Sequence, residues 1–213
     1  MLKNLMLKDF VEELSSNSPA PGGGSVAALS GAQASALGSM VFNLTIGKKA
    51  YNEYSEDIKE LINKSLKACN ENKKEFLDLI DKDADAFLDV MSAFKLPKNT
   101  DEEKAIRNQK IYEGYKVALS VPLETAEKAF KLYDYLQIAS TYGNKNAISD
   151  AGVAALMVQS AIQGAVLNVN INLASMPEDS YKEQTRKHCE ELVKNGQMKQ
   201  EEILSVVNSK IGY

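Results

Sequence analysis

The chain has no tryptophan, one histidine, two cysteines and five prolines. Each shortage removes a class of explanation. Cys69 and Cys189 stand apart with no Cys-x-x-Cys spacing, which argues against a disulfide framework or a zinc centre. The lone His188 lies in a densely charged run, Glu183 to Glu191, that reads as a solvated or helix-packing face. A Ser-His-Asp or Cys-His mechanism is therefore set aside, and acid–base work falls to Asp, Glu, Lys or Tyr. The net charge of −4, with acids and bases interleaved, leaves no concentrated basic face for nucleic acid. The opening residues Met1 to Met6 run straight into Lys8 and Asp9, with no room for a signal-peptide core. A reducing cytoplasm is the expected compartment.

Charge itself is missing from two long stretches, Leu14 to Gly47 and Ala151 to Pro177. The rest of the molecule is densely charged. Both stretches are long enough to span a bilayer. Their load of Asn, Gln and Ser, with few large aliphatics, argues instead for buried helices of a soluble fold. Ala, Gly and Ser let backbones approach closely, and buried amides need partners. A tightly packed centre with polar groups directed at something is the expectation.

Apolar residues three and four apart predict a long helix from Tyr54 to Phe94, closed by Pro97. Thr100-Asp101-Glu102-Glu103 is a capping box that starts the next helix. That helix is expected to bend or break at Pro122 and to resume from Glu124 to about Ser140. A short amphipathic helix is expected over Lys8–Ser16, the first uncharged helix from around Gly22–Ser25 to about Ile46, and the second up to about Ala174. Two further helices should follow Pro177, the last over Lys199–Lys210. Ser149 or Asp150 would cap the second uncharged helix. Val166 to Leu173 alternates apolar residues with Asn and is the one strand-like ambiguity. The fold class is all-α: one helical bundle spanning residues 1–213, with the uncharged helices inside it or across a subunit interface.

Among candidate functional residues, Pro19-Ala20-Pro21-Gly22-Gly23-Gly24-Ser25 is the strongest local signal. Glycines at a helix start expose backbone N–H groups and admit a ligand closely, although close helix packing uses the same residues. The Lys-Ser/Thr of a phosphate loop is absent. Asp83 falls beside the buried stripe of its helix, where a carboxylate must be paired, carry a raised pKa or face a cavity. Asp150 opens the second uncharged helix, where dipole and capping already account for it. Lys48 and Lys49 close the first, and a lysine there can equally reach a substrate carboxylate. Arg107 and Lys145 read in isolation as surface cations.

These motifs, in order, resemble the formimidoyltetrahydrofolate cyclodeaminase / methenyltetrahydrofolate cyclohydrolase family. Ser18 to Leu29 carries the most specific block. Met40-Val41, Leu44 to Tyr51, Asp83 to Phe87, Leu96-Pro97-Lys98, Val121-Pro122-Leu123, Gly143 to Asn146, Ser149 to Gly152 and Asn168 to Leu173 follow. The resemblance covers nearly the whole chain and is to the single-domain form, without a fused formiminotransferase. It implies an all-helical homodimer acting at the N5–N10 bridge of tetrahydrofolate. Conversion of 5-formiminotetrahydrofolate to 5,10-methenyltetrahydrofolate and ammonia is the first expectation. The alternative is hydrolysis of the methenyl compound to 10-formyltetrahydrofolate, and a non-catalytic helical interaction protein is a remoter one. No metal and no cofactor beyond the folate substrate is expected, and a separate formiminotransferase is a possible functional partner. By the resemblance, Asp83 would move a proton, Asp150 would hold the amidinium or the pterin edge, and Lys48 would protonate the leaving group or bind the glutamate tail. Gly22, Gly23, Gly24 and Ser25 would let the flat ligand lie against the backbone. Asn144, Asn168 and Asn172 would serve the pterin, with Lys145 and Arg107 as further substrate contacts. The small-residue faces suggest a site shared between subunits.

Overall fold

The computed structural model describes all 213 residues, and every regular element in it is helical. Seven α-helices run in chain order: α1 (Leu7–Leu14), α2 (Gly23–Asn43), α3 (Lys49–Glu53), α4 (Glu56–Phe94), α5 (Asp101–Tyr142), α6 (Ile148–Ala174) and α7 (Ser180–Ile211). Short 3-10 turns occupy Leu2–Asn4 and Lys145–Ala147. Helices α4 and α5 form a long hairpin, joined by the expected Thr100–Glu103 capping box with both reciprocal bonds in place. The strand-like alternation of 166–173 lies inside α6.

The uncharged helices are the centre. Helix α6 packs against α2, α5 and α7, while α2 packs against α4 as well. Gly164 lies against Ala27 and Gly23 against Asn168, so α2 and α6 are antiparallel neighbours. Both pass a length-and-apolarity test for crossing a membrane, yet 61% and 56% of their most apolar windows are buried within the protein. That burial marks them as core helices. Ala28, Ala34, Ala151, Ala154, Ala155 and Ala161 are wholly buried. Small side chains at these positions let large ones such as Phe42, Phe76 and Leu136 fill the remaining space. One buried polar chain crosses the core: the Tyr133 hydroxyl lies 3.0 Å from Gln159 Oε1, and Gln159 Nε2 donates to the Val193 carbonyl at 3.2 Å.

Three expectations need correction. Pro122 does not break α5, which is continuous from Asp101 to Tyr142 with Pro122 inside. A proline removes the N–H that would bond the carbonyl four residues back, here Ala118. That carbonyl instead accepts a bond from Asn172 Nδ2 of α6, at 3.0 Å. The two helices expected after Pro177 are one, α7, which Asp179 caps by accepting from the Lys182 N–H. Finally, neither Ser149 nor Asp150 caps α6, because the 3-10 turn leads directly into Ile148 and the N-cap is Ala147.

Gly31 shows how little slack the centre has. A Cβ there would lie 2.6 Å from the Phe76 ring, which is fully buried and has nowhere to go. Replacing Gly31→Ala is expected to destabilise the protein by about 1–3 kcal/mol, the usual range for overpacking. Urea denaturation followed by circular dichroism would measure this, and an unchanged midpoint would contradict it.

Candidate active site

Helix α2 starts without a side-chain cap: its N-cap is Gly22, and the first-turn residues are Gly23, Gly24 and Ser25. The partner for this helix end comes from another helix. Asp83, near the middle of α4, reaches across so that its Oδ2 accepts from the Ser25 hydroxyl at 3.0 Å. The carboxylate lies directly against Gly24, in the space any Cβ would occupy. Glycine is required there by close approach, not by an unusual backbone angle.

Ser25 Oγ also lies 3.2 Å from the Ile80 carbonyl. A hydroxyl has one proton and two lone pairs. With Asp83 ionised, that proton goes to the carboxylate. With Asp83 protonated, Asp83 donates to Ser25 and Ser25 donates to Ile80. Both protonation states are therefore satisfied without moving a heavy atom. Burial pushes the Asp83 pKa above its ordinary value of 3.8, while the Ser25 hydroxyl and backbone N–H pull the other way. The upward direction prevails.

Asp83 and Gly22–Gly24 open onto a cleft of about 330 Å³. Asn168 and Asn172 of α6 form one wall. Their side-chain N–H groups are held by backbone carbonyls of Gly164, Ala118 and Asn168, which leaves the amide oxygens to accept from a ligand. The opposite wall is apolar, made by Phe87, Met91, Phe94 and Tyr115. Phe94 and Tyr115 meet edge to face with centroids 6.2 Å apart. A flat heteroaromatic ring fits such a wall. In the sequence Phe87, Met91 and Phe94 read as part of the apolar stripe of α4, and Tyr115 of α5 is not singled out. Their signal was positional: Phe87, Met91 and Phe94 continue the stripe past Asp83, and the structure leaves them about 40% exposed. A larger groove between α6 and α7, about 520 Å³, holds Arg186, Glu190 and Lys194 but no buried acid.

The other sequence candidates lie elsewhere. Arg107 donates to the Phe94 carbonyl at 3.3 Å and sits over the Phe94 ring, so it supports the rim from outside. Lys48 and Lys145 line a separate hollow at the opposite end of α2 and α6, together with Lys210. Asn144 lies there too, but its polar groups are committed to the protein. Its N–H donates to Thr45 Oγ1, its Nδ2 to the Leu44 carbonyl, and its Oδ1 accepts from Asn146. Asn144 ties the two helix ends together. Asp150 sits in the first turn of α6, at that same end and away from Asp83. Within one chain the structure thus unites Gly22, Gly23, Gly24, Ser25, Asp83, Asn168 and Asn172, with Arg107 behind the rim. Lys48, Lys145, Asn144 and Asp150 are kept apart from them. His188 bridges α7 to α5 through Glu127 at 2.8 Å. Burial pushes the thiols of Cys69 and Cys189 up to about 12 and about 11.

The raised Asp83 pKa has a consequence for stability. Below pH 3.8 the group is protonated in the folded and unfolded chains alike and contributes nothing. Between 3.8 and its folded value, the native state keeps a proton that the unfolded chain has lost, so stability falls as pH rises. Above the folded value the loss is constant, at about 1.4 kcal/mol for each unit of elevation. An Asp83→Asn protein is expected to lack this component. Its stability relative to wild type should therefore increase from pH 4 and level off toward neutrality in urea titrations. A difference independent of pH would contradict the assignment.

The family model described as formiminotransferase-cyclodeaminase matches residues 6–191. Methenyltetrahydrofolate cyclohydrolase of Methylorubrum extorquens is 41% identical over 211 residues, covering 99% of this chain and all of that protein. Formimidoyltransferase-cyclodeaminase of Rattus norvegicus is 38% identical over 192 residues, and there the match spans only 35% of the longer protein. Among solved structures, formiminotetrahydrofolate cyclodeaminase from Thermotoga maritima superposes with a TM-score of 0.78 at 30% identity. That match covers 99% of this chain and 97% of the other. With the fold, the glycine–aspartate pairing and these matches in agreement, the chain belongs to the formiminotransferase-cyclodeaminase family.

Proposed function

We propose that the protein is a folate one-carbon enzyme acting at the carbon that bridges N5 and N10 of tetrahydrofolate. The observation that carries this reading is Asp83, the sole carboxylate in an uncharged cleft with an aromatic wall, held by a serine that tolerates either protonation state. The pterin would lie along Phe87 and Phe94, with its edge toward Asn168 and Asn172. The one-carbon bridge would then face Asp83 and the α2 N-terminus.

In the hydrolytic direction, Asp83 takes a proton from water as its oxygen adds to the methenyl carbon. The tetrahedral adduct then collapses: Asp83 gives its proton to N5 as the carbon–N5 bond breaks. The adduct hydroxyl releases its proton through the vacated carboxylate to solvent as the formyl C=O forms, and 10-formyltetrahydrofolate leaves. In the deaminating direction, N10 adds to the carbon of the protonated 5-formimino group, the amidinium, and Asp83 carries the N10 proton to the departing amino nitrogen. Ammonia leaves and 5,10-methenyltetrahydrofolate forms. Each path has a tetrahedral carbon and a proton relay that one carboxyl can run. The substrate carbon is already an amidine or amidinium electrophile, so the reading calls for no cofactor beyond the folate itself.

The Methylorubrum relative supports hydrolysis, because it matches end to end at 41% identity. Deamination, the first expectation under the family resemblance although the residues themselves do not separate it from hydrolysis, is supported by the Thermotoga relative, which also matches end to end. The proposal further includes a single domain over residues 1–213, a homodimer and a cytoplasmic location. If deamination is the activity, a separate formiminotransferase would supply the substrate.

Parallel absorbance assays with 5,10-methenyltetrahydrofolate and 5-formiminotetrahydrofolate test the reading. Loss of the methenyl chromophore above background, or its appearance with ammonia release, is expected. Asp83→Asn should lower whichever activity is found by more than about tenfold. Silence on both substrates would leave a folate-binding or interaction protein as the better account.

A further inference from the structure

The sequence motif Val121-Pro122-Leu123 has no part in the site described so far. Pro122 is buried within α5 and does not line the cleft. A proline is unfavourable there: it lacks the N–H that would bond the Ala118 carbonyl, and its ring crowds that carbonyl. Alanine would serve the helix better on both counts. What the proline does is leave the Ala118 carbonyl free for another donor, and Asn172 of α6 takes it at 3.0 Å.

Asn172 Nδ2 gives its second hydrogen to the Asn168 carbonyl at 2.9 Å. An amide nitrogen has two hydrogens, and here both are engaged, so the direction of Oδ1 is fixed. The one buried side-chain oxygen or nitrogen without a partner in the protein is Asp81 Oδ2. The unbonded Asn172 Oδ1 is therefore open to the cleft that Asn172 lines. Asn168 repeats the pattern one turn earlier: its Nδ2 donates to the Gly164 carbonyl at 2.8 Å, and its Oδ1 is likewise open. Residues four apart on a helix are neighbours, with Cβ atoms about 5–6 Å apart. The α6 wall thus offers two adjacent acceptors.

We infer that Pro122 is a positioning residue for substrate recognition. By freeing the Ala118 carbonyl it locks Asn172 with its oxygen toward the cleft, and the cleft thereby selects rings that present N–H donors along one edge. With alanine at 122 the carbonyl would be bonded within α5, and Asn172, released from one of its two anchors, could swing away. A site built to bond an N–H rejects an analogue lacking it, because the acceptor is then left without a partner. Resting on the folate reading, the edge selected is the amino-substituted pyrimidine edge of the pterin.

Two experiments test the inference, and the first needs no ligand. It is a double-mutant cycle read by urea denaturation. Asn172→Ala is expected to lower the urea midpoint in the wild-type background and to lower it less in the Pro122→Ala background, where the Ala118 carbonyl no longer depends on it. Equal shifts in the two backgrounds would overturn the link between Pro122 and Asn172. The second measures calorimetric affinities for 5-formyltetrahydrofolate and for the same compound with its 2-amino group replaced by methyl. Wild type should prefer the first by about fivefold, as one hydrogen bond gives, and Pro122→Ala should lose most of that preference. In the turnover assay, KM of Pro122→Ala should rise by more than kcat falls. A proline that only shapes α5 would leave the preference and KM unchanged, and that result would overturn the inference. Equal affinity of wild type for both compounds would overturn the donor-edge selection. A wild-type protein that binds neither would refute the folate reading and the pterin-edge assignment with it, while the urea cycle would still decide whether Pro122 fixes Asn172.

Discussion

The structure depends on a carboxylate from one helix closing the open end of another. Helix α2 begins with three glycines and a serine, and nothing local to its N-terminus accepts from its first-turn N–H groups. Asp83 approaches that end from α4, its carboxylate lying against Gly24 and accepting from the Ser25 hydroxyl. Capping interactions of this type contribute about 1 kcal/mol when they are local. Here the same contact also fixes α4 against α2, sets the floor of the cleft, and holds an acid away from water with its pKa raised. Gly24, Ser25 and Asp83 therefore form one structural unit.

A second constraint builds the opposite wall. Pro122 leaves the Ala118 carbonyl of α5 without its helical donor, and Asn172 of α6 provides one. Asn172 also bonds the Asn168 carbonyl one turn earlier. The amide that repairs α5 is thus the amide that lines the cleft, and its orientation is fixed by a bond the core needs. The apolar wall is positioned from outside by Arg107, which holds the end of α4 through the Phe94 carbonyl and ring. With both walls and the floor set by packing, a bound ligand meets groups that need little rearrangement.

Much of this was legible in the residues, for identifiable reasons. Helix type and the capping box followed from periodicity and from Thr100 with Glu103, both local signals. The uncharged stretches announced α2 and α6 because charge is costly to bury. Asp83 stood out because a carboxylate on an apolar stripe must face something unusual, and it does. What escaped were non-local compensations. Nothing near Pro122 tells that Asn172, fifty residues on, takes up the freed carbonyl, so a break was the reasonable expectation. The role of Asn144 as a turn brace depends on Thr45 and Leu44, about a hundred residues earlier. The aromatic wall was hidden for another reason: periodicity identifies a stripe but not where along it the core ends and a cleft begins.

The central claim is that Asp83 carries the proton and that Ser25 tunes it. Its most direct test is the pH dependence of kcat/KM on the accepted folate substrate, compared between wild type and Ser25→Ala. The account predicts a wild-type limb with an apparent pKa above the ordinary carboxylate value of 3.8. It predicts that the limb moves to higher pH in Ser25→Ala, because both Ser25 bonds favour the ionised acid and the hydroxyl bond is lost. A limb at the same pH in both proteins, with helical content unchanged, would contradict it.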